Sequence, residues 1–452
     1  MNVVAVDFAG RGSVPAIRPA REEIHEECLA LLKLGDNLSA RLPQTEAVLR
    51  TWRDAVTALS DADLTPATAE AELDRLAQAL RRICLAQAHA APAHGIAALE
   101  ARLDAYAPAP GGWHADHLLF SSAAAAMHCL LLALSPRGAN PAHPPRVRHL
   151  GGNFETEELL AMLSDHGILR ALPAEGGDHT DVLILEPVYF DRAAQMHRLD
   201  LQAALDRHCA TVEGCPSLVI VDSTLAGPGF ALDPLLPEAL SCAEAGHLLV
   251  RMSSGPELDQ AGLALADVGM VSHYRHKRQG LAIDPAEKLR KIRTLTGAGL
   301  SNDAIGALEA PWFLDRAHAL GHAEAVFENN ALLAHRLAEI DGLFSQVSHP
   351  GLGSLDDEAE APFVLIQLED DTPANYHKLE HLIAREAKAR GLHFDRGGSF
   401  GFRGHRYEAV LPQAGEITPF LRVALGARKG WSRDGIIDLL CEIARARSVD
   451  AF

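Results

Sequence analysis

Two carboxylates follow strongly apolar stretches of this sequence, where an ionised side chain would lie in a dry environment. Asp222 comes directly after SLVIV in SLVIVDST, and Glu257 follows the strand-like LVRM and a Ser-Ser-Gly-Pro turn. Burying a carboxylate without a partner is costly, so we expect Asp222 to have a cationic partner. That cation could belong to a bound ligand, whereas a helix cap or an internal arginine would account for Asp222 without one.

Two further segments carry side chains suited to ligand binding. Ser121 and Ser122 precede the helix-like AAAAMHCLLLAL, whose first backbone N–H groups could hold a phosphate. The alternative is that the serine serves as an N-cap and binds no ligand. Phe154, in the Gly-rich turn of LGGNFETEELL, could stack on a flat ring or could belong to the core.

The elements that must position these residues follow from the hydrophobic pattern. Val/Ile/Leu-rich runs occur at 181–187, 217–224 and 247–254, and the helix-like DLQAALDRHCA lies in the first gap. This pattern predicts βαβ units of a buried parallel sheet, in which ligands bind at the carboxyl ends of the strands. The next run, VGMVSHY (268–274), follows too closely for a long crossover helix and is predicted to pair antiparallel.

The composition along the chain predicts three regions. Residues 1–115 form a helical extension, with Ala, Leu, Glu and Arg at helical spacing up to the Pro/Gly break APAPGGWHADH. Residues 116–300 form a large α/β domain. Residues 301–452 form a linker helix and a smaller α+β domain.

Composition and charge exclude several classes of function. The chain has 452 residues, is 48% hydrophobic and carries 60 acidic against 41 Lys and Arg residues, for a formal charge of -19. This charge disfavours nucleic acid and anionic membranes as partners. Seven scattered cysteines indicate neither disulfides nor a zinc site. Without a leader or an apolar run near the roughly 18 residues that a membrane span needs, a cytoplasmic location is expected.

Other possible sites are weaker. The pair His114 and His117 in HADH has i, i+3 spacing but no nearby third metal ligand, so we predict a loop there. Ser399 in GGSFGF lies outside a GxSxG pattern, which argues against a hydrolase nucleophile.

In order and spacing, these segments resemble the fold type I pyridoxal-phosphate (PLP) enzymes of cysteine and methionine metabolism, which include cystathionine synthases and lyases. In that family a Ser-Gly-Met-Ala-type turn holds the phosphate, an aromatic residue stacks on the ring and an aspartate pairs with the pyridine nitrogen. Ser-x-Thr-Lys supplies the Schiff-base lysine. The resemblance covers roughly residues 116 to 445 and includes LTGAGLSNDAIGALEAPWFLDR and FLRVALG. It implies that a substrate carboxylate is held by Arg422 and that the cofactor is bound by Ser122, Ala123, Phe154, Asp222 and Ser254.

The sequence departs from the family at the positions of the Schiff-base lysine, the phosphate-binding turn and the ring-stacking aromatic residue. Glu257 stands at the position of the Schiff-base lysine, and a carboxylate cannot form an imine. Ala123 replaces a glycine, and Phe154 replaces a tyrosine that can assist proton transfer. Lys277, 20 residues after Glu257 in HYRHKRQG, fits a solvated or phosphate-facing loop better than a catalytic role.

Three hypotheses for function follow. The leading one is a pseudoenzyme, or a binding or partner subunit, that uses no cofactor or binds one noncovalently. It would form a homodimer or pair with a lysine-bearing paralogue, because the family's active sites lie at subunit interfaces. The alternative is an enzyme that eliminates, replaces or transaminates amino acids, with PLP or its amine form, pyridoxamine phosphate (PMP), bound noncovalently, or with Glu257 replacing a parental lysine. A third is a scaffold that works through its N-terminal helices.

Overall fold

The Val/Ile/Leu-rich runs form strands that are buried on both faces. In β4 (Val182–Leu185), Val182 and Ile184 pack into the hydrophobic cluster on one side of a sheet, and Leu183 and Leu185 pack into the cluster on the other. Successive side chains of a strand point to opposite faces, so a strand covered on both sides must be apolar at every position. This is why the apolar residues of β4 form a continuous run instead of alternating with polar residues.

The structure is a computed structural model in which the chain forms two compact units. The large α/β unit comprises Ala79–Arg192 and His197–Ala323, and the small α+β unit comprises Met1–Gln78, Ala193–Met196 and Glu324–Phe452. The predicted fold class is confirmed, whereas the predicted boundaries near residues 115 and 300 stay a prediction. The structure describes residues 29, 32, 33, 50, 66–88, 94–133, 144–176, 179–209, 218–232, 248–276, 285–310, 312–352, 360–411, 418–446 and 448.

The large α/β unit contains a seven-stranded mixed sheet in the order β1-β9-β8-β7-β4-β2-β3. Strand β9 is antiparallel to both of its neighbours, and the other pairs are parallel. The antiparallel prediction for residues 268–274 is therefore confirmed. The remaining bounds are β1 (Trp113–Phe120), β2 (Arg146–Leu150), β3 (Arg170–Leu172), β7 (Leu218–Asp222), β8 (Leu248–Ser254) and β9 (Gly269–His276), with β5 (Val188–Phe190) and β6 (Met196–Arg198) paired in a separate two-stranded sheet.

One prediction about this sheet is wrong. The HADH segment is part of β1 rather than a loop, and the Nδ1 atom of His117 lies 2.8 Å from the Oγ atom of Ser272 on β9. Both side chains are buried, so His117 is a hydrogen-bonded residue of the core. Across the part of the chain that the structure describes, no group of three His, Cys, Asp or Glu residues could hold a metal ion.

Helices account for most of the remaining described chain. Among the described residues, no helix is both long and apolar enough to cross a bilayer. The helices are α1 (Pro66–Ala88), α2 (Ile96–Tyr106), α3 (Ala123–Ala133), α4 (Phe154–Asp165), α5 (Leu201–Cys209), α6 (Pro285–Thr296), α7 (Asn302–Leu308), α8 (Arg316–Ala338), α9 (Pro373–Arg390) and α10 (Trp431–Ala444).

The small α+β unit has a five-stranded sheet in the order β10-β11-β14-β13-β12, in which only the β12–β13 pair is parallel. Apolar residues of α8, α9 and α10 pack with this sheet into one hydrophobic cluster. The strands are β10 (Phe344–Ser348), β11 (Val364–Leu368), β12 (Phe394–Arg396), β13 (His405–Val410) and β14 (Phe420–Ala424).

The N-terminal helix α1 is anchored to the C-terminal part of the small unit by buried polar contacts. The backbone N–H of Ser432 donates to Glu70 at 2.8 Å, and the guanidinium of Arg428 donates to Asp74 at 3.2 Å. Burial alone would raise the pKa of Asp74, but the hydrogen bond from His393 and the charge of Arg428 outweigh it and lower that pKa to about 2. Helix α1 therefore belongs to the packed interior of the chain's own fold.

Candidate functional site

The carboxyl ends of the parallel strands bring several predicted residues to one edge of the large sheet. Strands β2, β4, β7 and β8 are parallel neighbours, so their last residues lie side by side. Glu186 follows β4, Asp222 ends β7 and Ser254 ends β8. We call this group, together with Thr224 and Glu257, the carboxylate edge.

Asp222, Ser254 and Glu257 are joined by a chain of hydrogen bonds. Asp222 Oδ1 accepts from both the backbone N–H and the hydroxyl of Thr224, at 3.0 and 2.5 Å. The Thr224 hydroxyl oxygen accepts from the backbone N–H of Ser254 at 2.9 Å, and the Ser254 hydroxyl donates to Glu257 Oε2 at 3.1 Å. The structure thus connects three of the predicted site residues through Thr224, a residue that the sequence analysis did not single out.

The charge of Asp222 is poorly compensated by the described protein groups. Asp222 is only 6% exposed, and burial followed by the negative charge of Glu186 raises its pKa to about 6, against the hydrogen bonds from Thr224 and the charge of His149. Arg251, on the adjacent strand β8, instead donates to the hydroxyl of Ser223 at 2.9 Å and to main-chain carbonyls. Arg251 therefore does not serve as the counter-charge of Asp222, which caps a local turn and, among the described residues, lacks a full counter-charge.

Glu186 fixes the turn that presents Phe154. Its carboxylate lies 2.7 Å from Nε2 of buried His149 and accepts the backbone N–H groups of Gly152 and Asn153 at 2.9 and 3.1 Å. Asn153 in turn caps α4 by accepting the N–H of Glu155 at 3.0 Å. Phe154 follows as the first residue of α4.

Phe154 is not a core residue. Its side chain is 50% exposed, so the core interpretation is wrong, and the ring is accessible for stacking. The preceding turn is tightly packed, because a Cβ atom at Gly152 would lie 1.7 Å from the carbonyl oxygen of Phe190. The turn can therefore approach β5 only with glycine at this position.

Gly269 on β9 lies between the carboxylate edge and the residues Ser122 and Ala123. Gly269 is the register partner of Ser254, and a Cβ atom on Gly269 would lie 2.2 Å from the carbonyl oxygen of Ser122 and 2.8 Å from the backbone nitrogen of Ala123. The Ser122 hydroxyl accepts the N–H of Ala125 at 3.0 Å. Ser122 is thus the N-cap of α3, and its predicted role toward a phosphate stays a prediction.

A second buried acid lies near Glu257. Asp259 is 4% exposed and accepts a hydrogen bond from the hydroxyl of Tyr106 on α2. Burial raises its pKa to about 7, and the negative charge of Glu257 adds to this effect, whereas the Tyr106 hydrogen bond and the charge of Arg251 oppose it. Asp259 therefore places a second carboxyl group close enough to Glu257 for the two to interact electrostatically.

Arg422 lies on β14 in the small unit. Its guanidinium forms an ion pair with Glu408 on β13 and stands 5.6 Å from the ring centroid of Phe363. Its Nε atom is buried and has no hydrogen-bond partner among the described residues. Arg422 thus has an internal carboxylate partner, and its predicted role in binding a substrate carboxylate is untested. Lys277 lies outside the described residues.

Glu186, His149, Thr224, Asp259 and Tyr106 were missed by the sequence analysis. Glu186 had a usable signal, since it follows DVLIL much as Asp222 follows SLVIV. The other four carry no local signal, because their partners are set by strand and helix packing.

Comparison with known proteins identifies the fold. No protein-family model and no curated protein matches the sequence. The chain is similar to the solved cystathionine gamma synthase of Xanthomonas oryzae pv. oryzae in complex with aminoacrylate and cysteine, at 17% identity over 74% of this chain and 82% of that chain, with a TM-score of 0.52. It is also similar to cystathionine gamma-lyase from yeast, at 15% identity over 76% and 84% of the two chains, with a TM-score of 0.54.

A third similar structure is an O-acetylhomoserine (thiol)-lyase of Campylobacter jejuni subsp. jejuni containing N'-pyridoxyl-lysine-5'-monophosphate. It is 16% identical over 77% of this chain and 84% of that chain, with a TM-score of 0.54. At these identities the similarity shows the fold. The chain has the fold of the fold type I PLP-dependent transferases.

Proposed function

We propose that this chain is a PLP-transferase-fold protein that lacks the Schiff-base lysine and acts as a binding or partner subunit rather than as a standard PLP enzyme. The observation that carries the proposal is Glu257. This residue follows β8 at the position that the resemblance assigns to the lysine, and it is linked to Asp222 through Ser254 and Thr224. A carboxylate at this place cannot attach an aldehyde covalently.

The carboxylate edge fits the ring of a pyridoxal-type ligand. Both hydrogen bonds that Asp222 accepts from described residues reach Oδ1, and its pKa of about 6 reflects a charge without full compensation. A protonated pyridine nitrogen donating to Asp222 would supply that compensation. Thr224 would hold the carboxylate in place, and exposed Phe154 would cover the ring. A bound PLP would supply an electron sink for the bonds at an amino acid's Cα.

The other end of the site fits covalent chemistry poorly. The Ser254 hydroxyl, which the resemblance assigns to the cofactor, donates to Glu257. Glu257 itself brings a negative charge toward a ligand that already carries a phosphate. These features support noncovalent binding and argue against amine exchange at residue 257.

The alternative function is an enzyme that eliminates, replaces or transaminates amino acids with noncovalent PLP or PMP, or whose parental lysine was replaced by Glu257. It is supported by Asp222 at the strand end and by Arg422, whose ion pair with Glu408 would have to open to hold a substrate carboxylate. As partners we propose a second copy of this chain or a lysine-bearing paralogue.

The test is a titration of the full-length protein with PLP and PMP, followed by calorimetry and absorbance. We expect saturable binding without covalent attachment, at least tenfold weaker binding by Asp222→Asn, and no amino-acid turnover. Absence of binding to both ligands would overturn the binding proposal, and turnover by the wild-type protein would establish the alternative.

Restoring the lysine tests the position of Glu257. In Glu257→Lys, the amine is expected to add to the aldehyde carbon of PLP with loss of water, giving a visible absorption band and a reducible adduct at residue 257. Glu257→Gln is the matched control because it removes the charge without adding an amine. If Glu257→Lys binds PLP without forming the adduct, residue 257 is not at the lysine position.

A further inference from the structure

We infer that Glu186 and His149 are positioning residues that act through Asp222: they determine how firmly Asp222 holds its own proton, and so the pH range in which the site accepts a positively charged ring. The ligand belongs to the class of flat heterocycles with a protonated ring nitrogen. This inference rests on the proposed function, since it concerns the same site. It adds a role in ligand binding for two residues whose hydrogen bonds also fix the turn before Phe154.

The first support is the placement of Glu186 beside Asp222. Leu185 of β4 and Val221 of β7 are register partners on adjacent parallel strands, so the next residues, Glu186 and Asp222, lie side by side at the strand ends. Neighbouring strands are about 4.8 Å apart, and corresponding residues point to the same face of the sheet. Both side chains are buried. Two carboxyl groups so placed repel each other when both are ionised.

The second support is the way in which Glu186 is held. Its Oε2 atom accepts the backbone N–H groups of Gly152 and Asn153 at 2.9 and 3.1 Å, and its Oε1 atom lies 2.7 Å from Nε2 of His149. An ionised carboxylate is an acceptor only, which suits these donors. The negative charge of Glu186 is thus fixed next to Asp222, and buried His149 stands on its other side.

The third support is the arrangement of the other charged groups around Asp222. Arg251 of β8 is the register partner of Val221, so its side chain points to the face opposite that of Asp222. Burial is the largest cause of the raised pKa of Asp222, about 6; the charge of Glu186 raises this pKa further and that of His149 lowers it. The other titratable groups on elements near this edge are Tyr189 after β4, Glu257 and Asp259 after β8, His128 on α3, and Glu155 and Glu157 at the start of α4.

These contacts have a consequence for binding. A ring that carries a proton on its nitrogen pairs with ionised Asp222, so a proton already on Asp222 competes with the ring. As the pH falls through about 6, Asp222 takes up that proton and binding weakens. Glu186 moves this fall to higher pH, and His149 moves it to lower pH. If Glu186 served only to shape the turn, its loss would weaken binding by the same factor at every pH.

The test measures calorimetric dissociation constants for PMP between pH 5 and pH 7.5 with the wild-type protein, Glu186→Gln and His149→Gln. The groups of free PMP titrate identically in each case, so the ratio of two dissociation constants at one pH reports the protein. From pH 7.5 to pH 5, the wild-type constant divided by that of Glu186→Gln is expected to rise about threefold, which corresponds to a pKa shift of about half a unit. The same ratio for His149→Gln is expected to fall. The exposed Glu287→Gln on α6, which makes the same change of charge elsewhere, should give a constant ratio.

The effect of Glu186 on Asp222 is also measured without a ligand. The pKa of Asp222 is raised from 3.8 to about 6, so the folded protein holds this proton more tightly than the unfolded chain and loses stability as the pH rises from about 4 to about 6. Asp222→Asn cannot ionise and escapes this loss. Its urea midpoint should therefore gain on that of the wild type between pH 4 and pH 7. We expect a smaller gain when Asp222→Asn is made in the Glu186→Gln background.

The outcomes separate this inference from the proposed function. A pH-independent ratio for Glu186→Gln, or an equal gain in the two backgrounds, would overturn the inference and leave the proposed function standing. Failure of the wild-type protein to bind PMP and PLP at every pH would overturn the proposed function. The ligand-free comparison would then still decide whether Glu186 acts on Asp222. If Glu186→Gln does not fold, His149→Gln carries the test, and a ratio that does not fall toward pH 5 would overturn the inference.

Discussion

Asp222 and Ser254, which end neighbouring parallel strands, are joined by a single hydroxyl group. The hydroxyl of Thr224 donates to Asp222 Oδ1 at 2.5 Å and its oxygen accepts the N–H of Ser254 at 2.9 Å. One side chain therefore fixes the carboxylate that would meet the ligand ring and the residue that holds Glu257.

Thr224→Val should break this connection while keeping the shape of the side chain. The variant leaves the N–H of Ser254 and an oxygen of Asp222 without these bonds, so we expect the free energy of unfolding to fall by about 1–3 kcal/mol. Urea unfolding at neutral pH measures this loss. Thr224→Ser keeps the hydroxyl and should lose clearly less. Equal losses in the two variants would show that the methyl group, not the hydroxyl, matters.

Gly269→Ala should disturb the start of α3. The new methyl group would lie 2.2 Å from the carbonyl oxygen of Ser122, so backbone must move. Overpacking of this kind costs roughly 1–3 kcal/mol. Gly111→Ala is the matched control, because a Cβ atom there meets nothing within 4 Å. The comparison is made by denaturant unfolding, and a Gly269→Ala protein as stable as Gly111→Ala would contradict the close approach.

Asp259 should make the protein less stable as pH rises from about 4 to about 7. Its pKa in the folded protein is raised from 3.8 to about 7, so the folded state binds this proton more tightly than the unfolded state does. Asp259→Asn can still accept from Tyr106 but cannot ionise, so its unfolding free energy should fall less across this range. The measurement is denaturant unfolding between pH 4 and pH 7.5, with the exposed Asp267→Asn as control. Parallel curves for Asp259→Asn and wild type would refute the predicted burial of a charge.

The strands of the large sheet were predictable because burial on both faces imposes a local pattern. Runs such as SLVIVD predict both a strand and an acidic residue at its end. The short gap between the run ending at residue 254 and VGMVSHY predicts an antiparallel strand. The contacts that define the site were not predictable in this way. Tyr106 and Asp259 are 153 residues apart, and His149 and Glu186 are 37 apart. Only the packing of the folded chain brings such pairs together.

Exposure was the other property that the pattern did not reveal. Phe154 is apolar and precedes a helix, as many core residues do, yet the turn held by Glu186 leaves its ring half exposed. Three of the four residues of HADH are polar, which favours a loop, yet the segment is part of strand β1, where Ser272 lies within hydrogen-bond distance of buried His117.

The ion pair between Asp74 and Arg428 constrains when α1 can complete its contacts during biosynthesis. The two residues are 354 positions apart, and Arg428 is 1% exposed. Asp74 is synthesised well before Arg428, because it precedes Arg428 in the chain. A nascent chain therefore carries α1 without the Arg428 contact until residue 428 has been added. The contacts of Glu70 with Ser432 and of Asp74 with Arg428 can form only once Ser432 and Arg428 have been synthesised, and a chain that stops before them leaves these two carboxylates of α1 without those partners.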